Sequence, residues 1–171
     1  SNVPQIQYGF ALEYRYKRWT ISALFTGAAK VNFLYGGSGF YPFSGGEVGN
    51  ILSIVNDPKN RWTPAWYSGD PSTENPNARF PRLTYGENKN NNRASTFWLA
   101  DGSYLRWKSL DISYRIGTNK ALRTVGISDM NLQFVGQNLA VWDSVKLWDP
   151  GQASKNGAVY PLQRTFSLQL T

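Results

Sequence analysis

Residues 96–116 read T-F-W-L-A-D-G-S-Y-L-R-W-K-S-L-D-I-S-Y-R-I, and their alternation decides the fold. Leu110, Ile112, Tyr114 and Ile116 alternate with Asp111, Ser113 and Arg115, the period-2 pattern of a strand with one apolar and one polar face. Upstream, Leu105 and Trp107 fall on odd numbers with Arg106 and Lys108 between them, so the apolar parity switches near Lys108 and Ser109. A bulge there restores one continuous apolar face. Asp101 and Gly102 form a turn signal, which sets the strand at 103–116. A strand of about 14 residues is long. At roughly 3.3 Å per residue and a tilt of roughly 40° it exceeds the hydrocarbon core of a bilayer, whereas soluble strands run about 5 to 6 residues.

Four further segments carry the same signature. In 5–17, Ile6, Tyr8, Phe10, Leu12, Tyr14 and Tyr16 hold every even position against Gln5, Gln7, Gly9, Ala11, Glu13 and Arg15. After a tight turn at Lys17-Arg18, 19–29 places Ile21, Ala23 and Phe25 on one face and Thr20, Ser22 and Thr26 on the other, with Leu24 the misfit. Met130, Leu132 and Phe134 alternate in 129–141, and Phe166, Leu168 and Leu170 in 162–171. Between these lie two long polar stretches, 30–97 and 142–161, rich in Gly, Pro, Asn and Ser. Loops beyond roughly 12 to 15 residues are uncommon in compact domains and are usually functional or disordered. Within the first, Val48, Ile51, Leu52 and Val55 at helical spacing predict a short amphipathic helix over 47–56. One or two helical turns are expected at 119–125, capped by Gly126.

Composition narrows the function classes. The 171-residue chain is 41% hydrophobic and 15% aromatic, with seven Trp, ten Tyr and 16 Gly, a mixture that favours strands and loops. Without Cys there is no disulfide or thiolate metal site, and without His the commonest metal ligand and general base is missing. Neither a metal nor a cofactor is expected. No nucleophile has a base near it in pattern, so an enzyme is not expected either. The net charge of +7 is compatible with a nucleic-acid surface, but no Lys/Arg run exceeds Lys17-Arg18 and no nucleic-acid motif is present, so nucleic acid is not an expected partner. No apolar run approaches the roughly 18 residues of a membrane helix, and no signal peptide opens the chain at Ser1. A membrane-bound form is therefore expected to be a β-barrel.

The expected architecture is all-β: five antiparallel strands alternating short connections (17–18 and 117–128) with long ones (30–97 and 142–161). Short turns on one side and long loops on the other is the layout of outer-membrane barrels. Five strands cannot close one, so a fragment is expected. Tyr14, Tyr16 and Trp19 gather near the first turn, as core in a soluble sandwich or as an aromatic girdle in a barrel.

The motifs D-G-S-Y-L-R-W-K at 101–108, G-Q-N-L at 136–139, W-D-P at 148–150, Y-P at 160–161 and R-T-F at 164–166 resemble, in order, the C-terminal end of SusC/RagA-type TonB-dependent outer-membrane transporters. N-R-W-T-P at 60–64 and N-P-N-A-R-F-P-R at 75–82 are similar to that family's long extracellular loop. The resemblance covers essentially the whole chain. It implies the last five strands of a barrel of about 22 with a plugged lumen. It further implies a bacterial outer-membrane location, uptake of oligosaccharides or peptides under a SusD-like lipoprotein lid, and TonB as energy source through an N-terminal part absent here. Such barrels usually end in an aromatic residue, whereas this chain ends Leu170-Thr171.

On that reading Ile6, Phe10, Leu12, Ile21, Phe25, Leu110, Ile112, Leu132, Phe134, Leu168 and Leu170 face outer-membrane lipid. Arg15, Arg106, Lys108 and Arg115 face the lumen, either touching substrate or plug, or solvated and paired, with Glu13 and Asp111 available. Trp62, Trp66, Tyr67, Trp142 and Trp148 are the candidate contacts for substrate or lid, or else anchors of their own loops. Two other readings stand beside transport. One is a soluble β-sandwich carbohydrate-binding or adhesin domain, burying the same faces; the other is a barrel serving as structural subunit of an outer-membrane complex.

Overall fold

A computed structural model of the chain describes residues 3–44, 49–117, 123–124, 126–127, 129–152 and 154–171. Strands β1 (Ile6–Tyr16), β2 (Trp19–Ala29), β5 (Tyr104–Arg115), β6 (Asn131–Asp143) and β7 (Thr165–Leu170) form one sheet in the order β1-β2-β5-β6-β7, antiparallel throughout. The short strands β3 (Asn32–Leu34) and β4 (Leu99–Asp101) make a separate ribbon. The chain divides into two compact units. The first is Ser1–Phe33, Asp101–Ala153 and Val159–Thr171; the second is Leu34–Ala100 with Ser154–Ala158.

The register explains how the alternating patterns become two faces. Phe10 pairs with Phe25, Leu12 with Ala23 and Tyr14 with Ile21; across the next ladder Ile21 pairs with Ile112 and Ala23 with Leu110. Ile112 pairs with Phe134, and Phe134 with Leu168. Side chains directly opposite in an antiparallel pair share a face. The parity switch in β5 is resolved where Leu24 pairs with Ser109 but Phe25 pairs with Trp107, leaving Lys108 as the extra residue. The Trp107 indole N–H donates to the Ser109 carbonyl at 3.0 Å, spanning the bulge. On this face Phe10, Phe25 and Trp107 stack at centroid separations of 5.0 and 5.7 Å, and Phe134 stacks on Phe166 at 6.0 Å. Two glycines make room for rings: Tyr8 lies over Gly27 and donates its hydroxyl to the Tyr104 carbonyl at 2.9 Å, and Phe166 covers Gly136. No second sheet packs here among the described residues; Leu12 stands 60% exposed, Leu168 70% and Leu170 64%.

Several elements depart from expectation. The helix expected over 47–56 reduces to one turn, α1 (Ser53–Asn56): Leu52 is extended and Gly49–Leu52 is not helical, while 45–48 lie outside the described residues. Packing decides this, because Val55 is fully buried and fixes the segment by one anchor instead of a helical stripe. The helical turns expected at 119–125 fall largely outside the described residues; Gly126 takes φ 81°, as a terminating glycine does. Strand β6 starts and ends two residues later than expected, which moves Trp142 and Asp143 out of the second loop and into the sheet. The sequence also concealed a second irregularity. Between the pairs Trp107↔Ala140 and Ser109↔Gln137, β6 carries both Asn138 and Leu139, with Asn138 at φ 53°. Strand β7 begins at Thr165, and the Asn138 side-chain amide fastens the residues before it by donating to the Gln163 carbonyl at 2.9 Å.

The second unit has its own core. Phe40, Phe80 and Trp98 are buried, as are Tyr35, Val55 and Ala78. Several rings around Trp98 meet edge to face, as their quadrupoles favour. Phe40 and Trp98 lie 5.5 Å apart at 81°, Phe97 and Trp98 4.8 Å apart at 87°. Residues 34–100 are thus a packed body, which offsets the entropic cost of ordering so long a connection.

Candidate functional site

By register three of the four expected lumenal charges, Arg15, Arg106 and Arg115, fall on the polar face of the sheet, and each has an anion. Arg15 pairs with Glu13, Arg115 with Asp129 at 2.6 Å, and Arg106 with Asp149 at 2.6 Å. Lys108 is the unpaired residue of the bulge and is exposed. Asp111, expected as a partner for these cations, instead accepts from the Gln133 side-chain amide and from Ser113 Oγ at 3.1 Å. Arg106 opposes Thr26 and Val141, and Arg15 opposes Thr20, which sets both away from the Phe10 to Leu168 face.

The Arg106–Asp149 pair joins two of the quoted motifs across 43 residues of sequence. Its side chains are only 9% and 16% exposed, unlike the Arg115–Asp129 pair at 71% and 46%. The Tyr104 ring lies 5.6 Å from the Arg106 guanidinium, and the Gly151 N–H donates to Asp149 at 2.8 Å. Breaking a fully buried pair costs about 3 to 5 kcal/mol, because one charge is left uncompensated; with partial exposure, Asp149→Ala is expected to cost about 1 to 3 kcal/mol. Urea unfolding of the purified protein checks this. Asp129→Ala, at the exposed pair, is expected to leave the urea midpoint essentially unchanged, because solvent screens that pair.

Three of the five candidate aromatics converge. Trp62, Trp66 and Tyr67, with Arg61, Thr63, Pro64, Arg82 and Leu83, line a cleft of about 270 Å³ in the second unit. Helical turn α2 (Ala65–Ser68) projects Trp66 and Tyr67, and Gly69 ends it with φ 74° in the left-handed region. Glu74 accepts the Ala65 N–H at 2.8 Å. Buried Thr73 underpins the turn: its Oγ1 lies 2.6 Å from Ser68 Oγ and 2.8 Å from the Thr63 carbonyl, while Thr63 N–H donates to the Thr73 carbonyl at 2.9 Å. Asp70 caps the following 3-10 turn by accepting the Ser72 N–H at 2.8 Å. Hydrogen bonding from Ser72 holds its carboxyl below the ordinary aspartate value.

From this base Trp66 and Tyr67 stand out at 79% and 68% exposed, their rings perpendicular at 84°. Arg82 places its guanidinium over Trp62, 5.9 Å from the ring centroid. Arg61 is spent internally: its Nη1 donates to the Val55 and Asn56 carbonyls at 2.5 and 2.7 Å, closing α1. The structure does not bring the other two candidates here. Trp142 sits in β6 opposite Leu105 on the apolar face, and Trp148 lies against Phe33 with centroids 6.3 Å apart. Trp62, Trp66 and Tyr67 are close in sequence, a signal that could have grouped them, whereas nothing in the sequence marked Arg82 as lining the same cleft.

Fold and site together define an all-β chain: one antiparallel sheet with an apolar and a polar face, carrying a long connection that folds as its own unit. No protein-family model and no curated protein matches it. Solved structures do. The chain is similar to the RagAB peptide importer in its open-open state, at TM-score 0.68 and 20% sequence identity over 99% of this chain and 17% of that one. The closed-closed state gives TM-score 0.67 at 19% identity with the same coverage, and another structure of the RagAB peptide transporter gives 0.65 at 20%. At such identity the likeness is one of fold. The chain spans 17% of the length of those it matches.

Proposed function

We propose that this chain supplies five strands to the transmembrane β-barrel of a TonB-dependent outer-membrane transporter. The barrel imports peptides or oligosaccharides with a SusD-like lipoprotein as lid. The observation that carries the reading is the division of the sheet: all eleven side chains expected at lipid share one face by register, and that face is left open to its surroundings. A soluble sandwich needs a second sheet over that face. Water is a poor environment for so large an apolar surface, whereas acyl chains are not. Tyr14, Tyr16, Trp19 and Tyr114 then form the interfacial belt at the short-turn end, with Trp19 and Tyr114 in contact at 4.6 Å. In that layout the two long connections, 30–97 and 142–161, are the extracellular ones. Among the two substrate classes, peptide is the one named for the structures of similar fold.

The test is localisation and uptake in the native bacterium. The full-length protein is expected to partition with the outer membrane and require detergent for extraction. Accumulation of labelled oligomer is expected to stop when TonB is deleted, and a lipoprotein is expected to co-purify. A full-length protein found soluble without detergent contradicts the proposal, as does uptake that persists without TonB; membrane insertion with no uptake at all leaves only a structural role in the membrane.

A further inference from the structure

We propose that the Trp62, Trp66, Tyr67 and Arg82 cleft binds a carboxylate carried next to an apolar side chain, the chemistry of a peptide C-terminus. The inference rests on the peptide branch of the proposed function and assigns the residues that would read it. Charge is the first ground. Among the described residues, the cleft is lined by two guanidinium groups and no carboxylate. Arg61 is committed to two backbone carbonyls, whereas Arg82 is exposed and, among the described residues, forms no ion pair. Its guanidinium lies 5.9 Å from the Trp62 ring centroid, within cation–π range, and the planar five-donor fork of an arginine is suited to a two-point grip on a carboxylate.

Shape is the second ground. Trp66 and Tyr67 meet at 84°, so they form a corner and not a continuous platform. A run of sugar rings needs successive parallel faces; a single aliphatic or aromatic side chain fits a corner against two rings. At about 270 Å³ the cleft falls just below the roughly 300 to 1,000 Å³ of sites that engulf a whole small molecule. It accommodates one or two residues, which fits the end of a chain. The scaffold beneath is rigid: Thr63, Pro64 and Thr73 are buried and Thr63 and Thr73 are hydrogen-bonded to each other, so only the exposed rings and Arg82 adjust.

The experiment uses the intact full-length protein in detergent and calorimetric titration with three probes: the tripeptide Gly-Gly-Leu, its C-terminal amide, and maltotriose. The free acid is expected to bind about tenfold or more tightly than the amide, the scale of one charge-assisted contact. Arg82→Gln is expected to bring the acid down to the affinity of the amide without changing the amide. Trp66→Ala is expected to weaken both alike. Both residues are exposed, so the variants should fold, and unchanged heat-modifiable mobility on gels checks that they do. Equal binding of acid and amide, absence of peptide binding, or binding of maltotriose alone overturns the subsite. The two proposals fail separately: a protein that is no transporter shows no TonB-dependent uptake whatever its acid-over-amide preference, while a failed subsite abolishes that preference and leaves uptake intact.

Discussion

Replacing Trp98 by Ala is expected to cost about 3 to 5 kcal/mol, the range for removing a large buried aromatic side chain, and to do so in the second unit alone. Trp98 is 2% exposed and touches the rings of Phe40, Tyr41, Phe80 and Phe97. Its indole N–H also donates to the Asn91 carbonyl at 2.8 Å, tying the Asn-rich segment to the core. No smaller residue fills that volume or reaches that carbonyl. Limited proteolysis is expected to cut the variant within 34–100 at protease levels that leave the parent whole, while protection of β1, β2, β5 and β6 amides from hydrogen exchange stays unchanged. Equal resistance in parent and variant would mean that residues 34–100 do not depend on this cluster.

The second large effect belongs to the sheet. Leu12→Arg is expected to cost about 2 to 4 kcal/mol if Leu12 lies near the bilayer midplane, because a guanidinium replaces a side chain in contact with acyl chains. Glu13→Arg, one residue along and opposite Ser22 on the polar face, is expected to cost much less. It breaks the exposed Arg15–Glu13 pair and sets two like charges together, an effect of at most about 1 kcal/mol in water. The contrast between neighbours carries the information. Equilibrium folding into phospholipid vesicles measures it, and equal costs would remove the assigned facing.

How much of this was legible in the sequence depends on whether the signal was local. Parity within a strand is local, so the even-numbered apolar positions of 6–16 and the switch at Lys108 could be read directly, and register then joins them into one face. The end of β6 resisted reading. The alternation blurs after Phe134, where Gly136, Gln137 and Asn138 interrupt it, so the expected strand stopped at 141; the chain passes through Asn138 at φ 53° and continues to Asp143. Trp142 was therefore expected in a loop. The Arg106–Asp149 pair is non-local by 43 residues, and no spacing rule points to it; the W-D-P motif marked Asp149 without naming its partner. In the second unit the aromatic and proline content indicated packing, but which rings meet depends on tertiary contacts such as the Arg61–Phe80 bridge. The cleft was half legible. Trp62, Trp66 and Tyr67 are sequence neighbours, whereas Arg82 arrives from fifteen residues beyond Tyr67 by way of Phe80.

The most direct test of the two-faced sheet is site-directed spin labelling: these 171 residues carry no Cys, and any Cys elsewhere in the full-length protein is first replaced by Ser. Labels are placed one at a time from position 9 to 16 in the full-length protein reconstituted in vesicles. Collision rates are then recorded with oxygen, which concentrates in lipid, and with a water-soluble nickel chelate. Oxygen accessibility is expected to peak at positions 10, 12 and 14 and chelate accessibility at 11, 13 and 15, a period of two with opposite phase. Even-numbered positions shielded from both reagents would show the apolar face buried against protein, and the membrane barrel would give way to a sandwich.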